Sequence, residues 1–178
     1  MNIPMNDLVS HLKENHVATL KLPTLLWAKF NKEDSPICET KNWHTFKFIC
    51  NNGQLNDDVE KISSKKGGIY VFSISPEIIP ERQRILMYIG RAQITYNENL
   101  KQRIKSYYFN FCKGLNWKRP KIQQLFNYWK DYVYCSYFEM DDNTLIKSTE
   151  ADLINTLLPP CNGQIPDIQI SQAVRAAF

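Results

Sequence analysis

Apolar positions fall into clear patterns in the second half of the chain. Ile69 to Ile74 and Ile85 to Ile89 are short runs of branched and aromatic residues bounded by glycine and proline, and such runs predict strands. Ser75 to Arg84, with Pro76 and Pro80, predicts the loop between them, and Gly90 closes the second run, so the pair reads as a hairpin with a long connection. Leu100, Ile104, Tyr107 or Tyr108 and Phe111 then recur at helical spacing, with Asn97 or Asn99 placed to cap the helix. Pro120 suits a first-turn position, and Ile122, Leu125, Phe126 and Trp129 form the apolar stripe of a second helix. Tyr132 to Phe138 predicts a third strand. Thr149, with Asp152 three residues on, resembles a capping box opening a helix that runs to about Leu158, where Pro159-Pro160 must end it. This order implies an α+β domain, a small central antiparallel three-stranded sheet flanked by helices.

The first half is less regular. Leu8, Leu12 and Val17 suggest a short amphipathic helix, and Leu20 to Phe30 is apolar but interrupted by Pro23, which leaves helix and strand both open. Thr45 to Cys50 reads as a strand closed by the turn-forming Asn51-Asn52-Gly53. The polar run Ser63-Ser64-Lys65-Lys66-Gly67-Gly68 marks the expected boundary between an accessory region, residues 1–66, and a domain over 67–178.

Composition narrows the class. A chain of 178 residues, 43% hydrophobic and 22% charged, is a foldable chain with room for one average domain and an accessory segment. No apolar run approaches the ~18 residues that cross a bilayer, and no basic stretch followed by an apolar block opens the chain, so a cytoplasmic protein is expected. The five cysteines form no CxxC pair, and His11 and His16 are five apart, off the spacing that places two ligands on one helix face. Reduced thiols are expected, and a histidine-based metal site is not.

Net charge is +4, with +1 on residues 1–66 and +3 on 67–178. Its distribution says more than its size. Asn99 to Lys130 carries Lys101, Arg103, Lys105, Lys113, Lys118, Arg119, Lys121 and Lys130 with no acid, interleaved with Tyr107, Tyr108, Phe109, Phe111, Trp117, Phe126, Tyr128 and Trp129. Cations among aromatics suit a surface that holds phosphates, although the same aromatics, taken singly, fit a core.

Gly68-Ile69-Tyr70 and Tyr88-Ile89-Gly90 stand on the two strands of the hairpin, and together they resemble the signature tripeptides of the GIY-YIG nucleases. The pattern continues with Arg103 on the following helix, Glu150 on a later one and Asn162 behind Pro159-Pro160. The resemblance covers residues 67–165. It implies catalytic roles for Tyr70, Tyr88, Arg103, Glu150 and Asn162, a magnesium or manganese ion on Glu150, and DNA as partner. One of the two tyrosines would activate or position the attacking water, and which one is left open.

The residues support parts of this independently. Glu150, Ile154 and Leu157 share one helix stripe, so the carboxylate turns inward while Asp152, about 200° away, faces solvent. An inward carboxylate needs either a cation or an ion pair, and Arg103 is the natural partner in the second case. Arg103 shares its face with Leu100 and Tyr107, which aims a planar fork at the packed side. An unperturbed tyrosine ionises near pH 10, so a tyrosine base would need neighbouring cations. Tyr107, four residues after Arg103, stands where the homing enzymes of the family often have histidine, and matches the version in excision-repair nucleases. The connection from Gly90 to Arg103 is longer than in compact members, which keeps Arg91 as an alternative arginine or as a contact to a neighbouring phosphate. Arg91, Lys101, Lys105, Tyr107, Lys113, Lys118, Arg119 and Lys121 are the residues expected to meet nucleic acid. The expectation is thus a metal-dependent DNA endonuclease, with room for a homodimer, and its rival is a non-catalytic nucleic-acid-binding module.

Overall fold

The structure, a computed structural model, describes Met5 and residues 18–30, 35–79, 83–114 and 118–177. The helix expected around Leu8, Leu12 and Val17 lies outside these residues, as do His11, His16 and Trp117.

The protein is α+β, and its sheet has four antiparallel strands where the sequence predicts three. Helix α1 spans Thr24–Lys29, behind Pro23. Strand β1 is His44–Lys47, β2 is Gly67–Ile74 and β3 is Ile85–Ala92. Helix α2 (Leu100–Tyr107) runs on into a wide turn, Tyr108–Cys112. Helix α3 is Pro120–Trp129, β4 is Val133–Met140, α4 is Asn143–Leu157 and α5 is Ile168–Ala177. Strand order is β1-β4-β2-β3. The extra strand comes from the region assigned to the accessory segment: His44 to Lys47 pair with Tyr137 to Tyr134 of β4, and Phe48, Ile49, Val59 and Ile62 join the main core. The run 44–50 is too short to bury a face alone, and β4 offers it an open ladder.

The sheet is covered on both sides, which is why its central strands read as continuous apolar runs. On one face Tyr70, Phe72 and Tyr88 pack with Leu100, Ile104 and Tyr107 of α2, Phe111, and Ile122, Leu125 and Phe126 of α3. On the other face Ile69, Ile89, Phe138 and Met140 meet Ile146, Leu153 and Ile154 of α4. Asn99 caps α2 as expected, its side chain accepting from Gln102 N at 2.9 Å. Helix α4 begins six residues before Thr149, because Asp142 supplies the cap instead, accepting from Thr144 N at 2.7 Å and Leu145 N at 3.2 Å. It ends at Leu158, in left-handed backbone, before the two prolines. Among the described residues no helix is long and apolar enough to cross a membrane.

Candidate active site

Two glycines of the tripeptides have steric reasons to be glycine. Gly68 has a φ of +150°, and a Cβ there would lie 2.1 Å from the Phe138 carbonyl oxygen. Gly90 stands opposite Tyr70 in the ladder, and a Cβ on it would lie 2.5 Å from both Cζ and Oη of that ring. The absence of a side chain at 90 is what lets the Tyr70 ring lie across β3.

That ring begins a chain of phenols. Tyr70 Oη is 2.8 Å from Tyr107 Oη, and Tyr107 donates to Tyr88 Oη at 3.3 Å. Arg103 Nε donates to Tyr70 at 3.4 Å, and Arg119 donates to Tyr107 at 3.0 Å and to Tyr88 at 2.7 Å. Burial first, then the neighbouring phenols Tyr107 and Tyr88, hold Tyr70 well above the ordinary tyrosine range, with Arg103 opposing. Tyr88 is pushed up to about 12, again by burial and Tyr107, with Arg119 pulling the other way. Both are therefore neutral at physiological pH. The cations reduce the cost of a phenolate without overcoming desolvation.

Glu150 lies two turns into α4, with only 14% of its side chain exposed, while Asp152 is solvated. Its partner is Arg91, whose Nη1 binds Oε2, and not Arg103. The register explains the exchange. Arg91 follows Ile89 on the face of β3 that α4 covers, whereas Arg103 rises from α2 on the opposite face, where its Nη1 pairs with Glu98 at 3.2 Å. The length of the connection from Gly90 is the signal that pointed to Arg91.

Asn162 binds main chain. Its Oδ1 accepts from Ile89 N at 2.9 Å and its Nδ2 donates to Ile89 O at 2.8 Å, while Cys161 N donates to Met87 O at 2.9 Å. The segment after α4 thus runs along the outer side of β3 like a partial fifth strand. Asn143 makes the same double clasp on Ile94, at 2.8 and 2.9 Å, a use of asparagine that has no sequence signature.

A cleft of about 1430 Å³ opens around that outer side. Tyr88 reaches it from one face of β3, Arg91 and Glu150 from the other, and Asn162 lies on its wall. Lys118, Arg119, Lys121, Lys21 and Arg175 also line it, so among the described residues basic groups outnumber the Glu150 carboxylate. Tyr70 is fully buried, and neither it nor Arg103 is on the cleft wall; their hydrogen bonds reach it through Tyr107. Several residues expected at a nucleic-acid surface are placed otherwise. Tyr107 is 1% exposed and is the centre of the phenol chain. Lys101 donates to the Glu60 carbonyl at 2.7 Å, and Lys105 pairs with the Glu60 carboxylate, so an acid from before β2 offsets part of the charge there. Lys113 lies over the Tyr108 ring, 5.5 Å from its centroid.

The donor chemistry fits a hard cation that keeps most of its waters, since such an ion needs as little as one carboxylate. It does not fit a structural zinc: among the described residues no three histidine, cysteine or acidic side chains gather. No protein-family model, curated protein or solved structure matches the chain.

Proposed function

We propose that the protein is a metal-dependent endonuclease of the GIY-YIG type that hydrolyses phosphodiester bonds in DNA. One observation carries the reading: Tyr88 and Arg91 of β3, Glu150 of α4 and Asn162 of the segment after it, brought from three separate segments, meet in one cleft lined by Lys118, Arg119 and Lys121. In this reading β2, β3 and β4 are the family's three-stranded sheet, and β1 extends it. Glu150 would hold a magnesium or manganese ion, which when bound withdraws charge from the phosphate and makes a water more acidic. Arg91 beside it meets the negative charge that builds on the phosphate. Tyr88, neutral at working pH, orients the attacking water through its hydroxyl. Arg103 and Tyr70 hold the far end of the phenol chain, and Asn162 fixes Ile89 and so the direction of both neighbouring side chains. The cleft lysines hold backbone phosphates without reading bases. A single site cuts one strand, so a double-strand break requires a homodimer or two successive nicks. The reading is of a cytoplasmic enzyme with reduced thiols.

The test is nicking of supercoiled plasmid with Mg²⁺, with and without chelator. Chelator-sensitive nicking that falls at least a hundredfold in Glu150→Gln is expected. Undiminished cutting by that variant refutes the assignment. The Arg91–Glu150 pair favours one second reading, a binding module in which arginine permanently takes the carboxylate; such a protein binds DNA and nicks nothing.

A further inference from the structure

Arg119 belongs to no element of the tripeptide pattern, yet it binds more of the phenol chain than Arg103 does. Besides its bonds of 3.0 Å to Tyr107 and 2.7 Å to Tyr88, its guanidinium carbon lies 5.4 Å from the Tyr88 ring centroid and 5.7 Å from that of Tyr107. A planar fork offers donors at a fixed separation, which a single ammonium does not. Hydrogen counting then orders the whole chain. A phenol oxygen has two acceptor sites and one hydrogen. Tyr88 accepts from Arg119 and from Tyr107, which fills it. Tyr107, having given its hydrogen to Tyr88, accepts from Arg119 and takes the hydrogen of Tyr70 across 2.8 Å. Tyr70 accepts from Arg103. Donation therefore runs one way, from Arg103 through Tyr70 and Tyr107 to Tyr88. The hydrogen of Tyr88 is the one that no described residue accepts, and Tyr88 lines the cleft.

We propose that Arg119 is a positioning residue that fixes the Tyr88 hydroxyl as a donor aimed into the cleft, and not the phosphate contact its place in a basic stretch suggests. What that hydroxyl acts on, a water or a phosphate oxygen, rests on the nuclease reading. Without the fork, Tyr88 regains an empty acceptor site, its hydroxyl rotates, and the direction of the chain is lost.

The experiment uses the full chain with Arg119→Met and Arg119→Lys, each in the native and in a Tyr88→Phe background, and Lys121→Ala for comparison. Three quantities are read: single-turnover plasmid nicking with Mg²⁺, the log-log salt slope of DNA affinity, and the resonance of a carbon-13 label at Tyr88 Cζ in protein without DNA or metal. Arg119→Met is expected to lower the cleavage rate at least tenfold, leave the salt slope unchanged, move the Tyr88 resonance, and have little further effect once Tyr88 is phenylalanine. Arg119→Lys keeps the charge and most of the bulk, so it reports if the methionine variant does not fold; it too should lose rate and move the resonance. Lys121→Ala should lower the slope by about one and leave the resonance in place. An Arg119 variant that lowers the slope by about one with rate and resonance intact overturns the proposal, as does an equal loss of rate in both backgrounds. A native protein that cuts nothing defeats the nuclease reading, while the resonance still decides whether Arg119 holds Tyr88.

Discussion

The two faces of the β2–β3 hairpin hold charge and hydroxyl groups in opposite ways. Toward α2 and α3, three phenols and two guanidinium groups form a network with Tyr70 and Tyr107 out of water, each hydroxyl tied to at least two partners. Toward α4, a single ion pair, Arg91 with Glu150, stands at an open cleft with the arginine a third exposed. The closed side fixes direction, because a buried hydroxyl that rotates leaves an unpaired group, at a cost of about 1–3 kcal/mol. The open side fixes charge but leaves its partners exchangeable, since water and incoming ions reach the pair from the arginine's exposed side. One strand separates the two properties.

If the closed side depends on packing, the sharpest way to break it is at Gly90. Gly90→Ala forces a methyl group into the Tyr70 ring and is expected to destabilise the fold by about 3 kcal/mol, read as a lower urea midpoint at unchanged slope. Alkaline pH attacks the same side chemically. The folded pKa of Tyr88 is raised from 10.0 to about 12, so the stability held by the neutral phenol is fully present below pH 10 and is lost as pH rises toward 12. Unfolding should steepen across that window, and Tyr88→Phe should flatten the profile. The hinge between the faces is weaker. Asn162→Ala removes both bonds to Ile89 and is expected to cost about 2 kcal/mol in a denaturant titration, together with faster amide exchange at Ile89. The lysines of the cleft wall should barely move stability at all. Lys118→Ala with Lys121→Ala is expected to weaken DNA binding about tenfold and to lower the log-log salt slope by about two, whereas Lys101→Ala with Lys105→Ala leaves that slope in place.

The contrast between those lysine pairs shows what a linear sequence conceals. Asn99 to Lys130 is free of acids along the chain, but Glu60 is brought onto Lys101 and Lys105 from a segment more than 40 residues earlier, and Glu98 meets Arg103. Lys118, Arg119 and Lys121, at the other end of the stretch, line the cleft. Periodicity did carry the inward turn of Glu150, because the apolar stripe of a helix is a local property, and it carried β2, β3, β4, α2 and α3 for the same reason. It did not carry the partner of Glu150, which depends on which face of β3 each arginine leaves. The strand around Thr45 was legible, but not its pairing with β4, which is decided by what lies beside it. Helix α5 carries local signals of its own: Asp167 caps it, accepting from Ile170 N at 2.9 Å, and Ile170 and Val174 stand one turn apart.

Strand β3 is the last in its sheet, and a terminal strand with bare amide and carbonyl groups is a template on which a second chain can add. The backbone of Ile89 is sealed by the amide of Asn162, and the Met87 carbonyl by the next residue back, Cys161. The same contact that shapes the cleft therefore also closes this stretch of the sheet edge to an added strand.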